Sequence, residues 1–136
     1  APDVRRLLEK RIKALVAAQA ESFGVTVDID WRPGYCVLVN TEAETNFARQ
    51  VALDLVGAEQ VTLHGPALTG SEDFAFMLQE VPGCYVWIGN GMGEHRHAGH
   101  GLGPCMLHNG SYDFNDDLLP LGATYWVKLA ENWFKR

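Results

Sequence analysis

Apolar positions in the first twenty residues return on a helical period. Val4, Leu8, Ile12, Leu15 and Val16 share one face, with Leu7 beside them and Asp3 placed as a cap. Gly24 ends the pattern. From Val25 the period changes to two: Val25, Val27, Ile29 and Trp31 alternate with Thr26, Asp28 and Asp30, which predicts a half-buried strand with one wet face. Pro33-Gly34 reads as a turn, and Tyr35–Val39 as a short apolar run. Thr41-x-x-Glu44 has the form of a capping box, in which hydroxyl and carboxylate each satisfy an orphan backbone donor. Behind it Phe47, Val51 and Leu55 stand four apart, up to Gly57.

Gln60–Leu63 is expected to be a short strand and Gly65–Gly70 a loop. Ser71 is placed to cap a helix through about Gln79, which Pro82-Gly83 breaks. Cys84–Ile88 is apolar at every position, the pattern of a strand covered on both faces, as in a parallel sheet. A glycine-studded stretch, Gly89–Pro104, comes next, and Leu118–Phe134 forms the last helical pattern, with Pro120 in its first turn. Helices alternating with strands predict an α/β layered architecture. A boundary falls near Val39–Thr41, and residues 1–39 hold too few elements to fold alone.

Composition narrows the class. The chain has 136 residues, 47% of them hydrophobic, which excludes disorder and supplies a sizeable core. No apolar run approaches the roughly 18–20 residues of a membrane span. Eleven Lys and Arg against seventeen Asp and Glu give a net charge of −6, which argues against a nucleic-acid binder. The basic cluster Arg5, Arg6, Lys10, Arg11 and Lys13 reads as a solvated helix face. Cys36, Cys84 and Cys105 lack a CxxC spacing and are expected as free thiols in a reducing cytoplasm. The opening Ala1-Pro2-Asp3, without methionine, is expected of a cleaved product or, in preference, of a piece of something longer.

Three places could carry chemistry. His95, His97 and His100 have metal-like spacing, but the surrounding glycines offer no rigid scaffold, so solvated histidines are the expectation. Ser71-Glu72-Asp73 opens a helical pattern, where capping alone explains the residue types. Leu107-His108-Asn109 precedes Tyr112-Asp113-Phe114-Asn115-Asp116-Asp117, whose spacing lacks the glycine and final glutamate of a calcium loop. No nucleophile elbow, P-loop or HExxH occurs. The residues alone thus give a soluble α/β piece with a polar site around Ser71–Asp73 and His108.

Taken together, Gly70-Ser71-Glu72-Asp73-Phe74-Ala75, Val81-Pro82-Gly83, Tyr85–Gly89, Leu107-His108-Asn109, Tyr112–Asp116 and Leu119-Pro120-Leu121-Gly122 resemble one family. They look like the C-terminal part of hippurate hydrolases and related aminoacylase/carboxypeptidase-type metallo-amidohydrolases. The resemblance implies that residues 40–136 are the C-terminal part of a mixed-sheet metallopeptidase catalytic domain. Residues 1–39 would end an α/β-sandwich lid through which the parent protein forms a homodimer. It also implies a pair of divalent metal ions, zinc or manganese, and hydrolysis of small N-acyl amino acids by metal-activated water. Carried over by motif, His108 aligns with a metal-ligand histidine, and Ser71, Glu72, Asp73 and Asn109 line the cleft. The general base and the other ligands are expected upstream, so the chain by itself is expected to be inactive. The rival is a non-enzymatic α/β binding or oligomerisation module that has lost the metal site. A small metal-binding protein built on His95, His97 and His100 ranks below both.

Overall fold

A computed structural model describes residues 2–91 and 107–135. Its regular elements are helices: α1 (Pro2–Ser22), α2 (Glu42–Val56), α3 (Phe74–Glu80) and α4 (Leu118–Trp133), with a 3₁₀ turn at Ala58–Gln60. The chain divides into two compact units. Ala1–Asn40 and Ala67–Pro82 form the first, and Thr41–Pro66 and Gly83–Arg136 the second.

In the first unit, α1 starts at Pro2, whose fixed φ and missing N–H suit a first helical position. Asp3 therefore sits inside the first turn, paired with the Arg6 guanidinium, rather than capping from outside. The helix ends as its glycine requires. Gly24 takes a φ of +67°, its N–H bonds to Glu21 O at 3.0 Å, and the Val25 N–H reaches back to Ala20 O at 3.0 Å. This pair of reverse bonds is the Schellman arrangement, and a side chain at the left-handed position would oppose it. The α3 segment starts later than Ser71 predicts. Its first residue is Phe74, whose N–H donates to the Glu72 carboxylate at 3.2 Å.

The second unit holds the better-packed helices. α2 and α4 bury Ala48, Val51 and Tyr125 against each other, and Phe47 meets Trp133 edge to face at 5.5 Å. The Tyr125 hydroxyl donates to Ala48 O at 2.9 Å, which satisfies a phenol that would otherwise be buried unpaired. Burial pushes the Tyr125 pKa above its ordinary 10.0, and negative charge at Cys84 raises it further. Thr41 departs from the expected capping box. Its hydroxyl meets the Glu44 carboxylate, accepts the Gly83 N–H at 3.0 Å and caps no helical N–H, while the Thr41 N–H donates to Gly83 O at 3.0 Å. Two distant segments are tied at the head of α2 instead.

The expected α/β class is not what the structure shows: no strand occurs among the described residues. Neither the mixed sheet of a catalytic domain nor the sandwich of a lid is present in them. Segments 25–31, 35–39 and 84–88 run as irregular chain, and Gln60 belongs to the 3₁₀ turn rather than to a strand. The reason is pairing. A strand satisfies its N–H and C=O groups only across a neighbour, and a period-two pattern cannot provide that neighbour. Burial agrees: Val25 and Val27 are exposed, as are Val86, Trp87 and Ile88, where the sequence pattern placed a covered strand.

Candidate functional site

The sequence-derived site residues fall in both units. Ser71 and Glu72 lie in the first, on a cleft of about 300 Å³ that Arg5, Tyr35, Cys36 and Gly70 also line. Asp73 does not line it; its place is the residue before α3. Glu72 is half-buried and Ser71 exposed. Arg5, which the sequence reads as part of a solvated face, is held across the turn: its guanidinium donates to Gly34 O at 3.2 Å and to Tyr35 O. Nothing in the helical spacing of Arg5 marks it for that role, although the Pro33-Gly34 turn explains why carbonyls are available there.

His108 and Asn109 belong to the second unit. His108 is exposed and has a φ of +62°, the only non-glycine residue among those described with a positive φ. For a side chain larger than Asn or Asp this costs on the order of 1–2 kcal/mol, so neighbouring structure must hold it. A hydrogen-bonded turn at residues 109–112 follows it directly. The Asn109 carboxamide oxygen accepts the Ser111 N–H at 2.8 Å, the Tyr112 N–H bonds to Asn109 O at 3.0 Å, and Ser111 is buried. Asn109 thus shapes the turn after His108.

Two asparagines absent from the sequence-derived site brace the same stretch. Asn90 donates to Asp113 O and accepts the Asn115 N–H, both at 2.9 Å, and the Asn115 side chain donates to Asn90 O at 3.3 Å. The Asn-Gly pair at 90–91 is the signal the sequence offers for this, and by itself it indicates only loop chemistry.

Of the sequence-derived site residues, His108 carries the imidazole that suits zinc or manganese. Among the described residues no group of three His, Cys, Asp or Glu converges on a point, so they do not make a complete metal site. His95, His97, His100 and Cys105 lie outside the described residues. No helix among the described residues is long and apolar enough to cross a membrane.

Residues 5–132 match the family model described as peptidase family M20/M25/M40. The chain belongs to that family. Its relatives include a protein named hippurate hydrolase from Campylobacter jejuni, 29% identical over 133 residues, covering 98% of this chain and 32% of the relative. An IAA-amino acid hydrolase ILR1-like 6 from Arabidopsis thaliana is 29% identical over 131 residues, covering 93% and 26% respectively. An N-acetyldiaminopimelate deacetylase from Streptococcus suis is 30% identical over 118 residues, covering 86% and 28%. The chain therefore spans between about a quarter and a third of the length of these curated relatives. No solved structure matches it.

Proposed function

We propose that this M20-family chain belongs to a metal-dependent amidohydrolase that cleaves the amide bond of small N-acyl amino acids. The observation that carries the reading is the family match across residues 5–132, joined to relatives whose names specify hydrolysis of hippurate, hydrolysis of an amino-acid conjugate and deacetylation of an N-acetyl amino acid. When bound, a pair of divalent ions supplies polarisation of the amide carbonyl and activation of a water. His108 offers an imidazole nitrogen to one of those ions, from a backbone in the left-handed region. Ser71 and Glu72, with Arg5 beside them, give a cleft for the polar end of a substrate. The general base and the remaining ligands lie outside residues 1–136, and the parent is a cytoplasmic homodimer joined through residues 1–39. The exposed apolar residues of α1 (Val4, Leu7, Leu8 and Leu15) support that last assignment.

The test is an assay of the full-length gene product on a panel of N-benzoyl, N-acetyl and free amino-acid substrates, before and after chelation. Hydrolysis confined to the N-acyl substrates is expected, lost by roughly 100-fold or more on chelation and restored by zinc or manganese. Hydrolysis that survives thorough chelation contradicts the reading. A folded product that neither binds metal nor cleaves any of them is the behaviour of the non-enzymatic module.

A further inference from the structure

We infer that Asn90 and Asn115 are positioning residues for His108; the inference rests on the ligand role proposed for that histidine. The two side chains form a closed clasp. Asn90 uses both ends of its carboxamide on the backbone of one short segment, donating to Asp113 O at 2.9 Å and accepting from Asn115 N–H at 2.9 Å. Asn115 answers with its own side chain, donating to Asn90 O at 3.3 Å while its oxygen accepts the Asp117 N–H at 3.2 Å. A carboxamide matches this arrangement because it carries one donor end and one acceptor end, as a peptide group does. Neither a carboxylate nor an aliphatic side chain can make both bonds. Gly91 beside the clasp has a φ of +73°, and a Cβ there would stand 3.2 Å from the Asn115 side-chain nitrogen.

From the clasp the chain leads back to the histidine through a short segment that is itself hydrogen-bonded at residues 109–112. Residues 113–115 are fixed to Asn90, Tyr112 and Ser111 are bonded to Asn109, and Asn109 adjoins His108 with its positive φ. His108 is exposed, so its direction depends on the backbone segment that carries it. Removing the clasp should leave the imidazole chemically intact and less well aimed.

The experiment uses the full-length gene product and zinc as the probe, with zinc affinity read by chelator competition on folded protein. Four forms are compared: unaltered, His108→Ala, Asn90→Ala and Asn115→Asp. Asn90→Ala deletes two bonds of the clasp, and Asn115→Asp only the one at 3.3 Å. Weaker binding of one ion by up to about 10-fold is expected for Asn90→Ala, the low end of the loss seen when a ligand's direct hydrogen-bond partners are removed. A smaller loss is expected for Asn115→Asp. The cobalt-loaded forms should show a changed visible spectrum in the same order, which a purely structural role would not produce in the folded fraction. If Asn90→Ala holds both ions as tightly as the unaltered protein while His108→Ala loses one, the clasp does not position His108. If His108→Ala keeps both ions, the ligand role falls and the inference with it. Should Asn90→Ala fail to fold, Asn115→Asp decides: weaker zinc binding upholds the clasp and unchanged binding overturns it.

Discussion

Tyr125 shows what a single residue contributes to the second unit. Its ring fills the space between α2 and α4, and its hydroxyl closes on Ala48 O. Because burial raises its pKa above 10.0, the folded state holds the phenolic proton more tightly than the unfolded state. The stabilisation is fully present below the unfolded pKa and is lost as pH rises through 10.0 and on through the higher folded value. A pH series of denaturant melts should therefore fall off above pH 10.0, and Tyr125→Phe should flatten that fall while costing about 1 kcal/mol near neutrality. An unchanged alkaline limb in Tyr125→Phe would contradict the assignment. At the same scale, His108 was legible in the sequence only through its motif. Its positive φ was not, since most histidines, though enriched in the left-handed region, still adopt negative φ. Arg5 and the Asn90–Asn115 clasp were missed because each acts on backbone that lies more than twenty residues away.

Helices carry their signal locally. The 3.6 period, Gly24, Gly57 and Pro120 were enough to locate α1, α2 and α4 to within a residue or two. α3 was foreseen, but its start was not, because Glu72 rather than Ser71 takes the first helical N–H. The strands failed together. Alternation states which face of a strand would be buried, yet it contains no information on where a partner lies, and the described residues form no ladder. In the dilute 136-residue chain, amide hydrogens of residues 26–31 are accordingly expected to exchange near the rate of unstructured backbone. Those of α2 and α4 around Val51 and Tyr125 should be slowed. Strong protection across residues 26–31 in dilute solution would show pairing that the structure lacks.

For the whole molecule, the imbalance between apolar content and burial is the dominant fact. Ala48, Val51, Ala75 and Tyr125 are the buried apolar residues among those described, while Leu15, Trp87, Leu119 and Trp126 each keep 65–71% of their surface in water. A chain with 47% hydrophobic residues normally covers far more of them. The chain matches the family over residues 5–132 and spans about a quarter to a third of the length of these relatives, so the proposed metal centre would draw on more residues than these. Within residues 1–136, His108 is the one ligand proposed for that centre. The most direct measurement is metal content and turnover of the full-length gene product in two variants side by side, His108→Ala and a triple replacement of His95, His97 and His100 by Ala. His108→Ala should fall towards one ion per subunit and lose turnover by orders of magnitude with its fold intact, while the triple variant keeps both ions and its rate. Metal lost from the triple variant and retained in His108→Ala would contradict the assignment of His108 as the ligand.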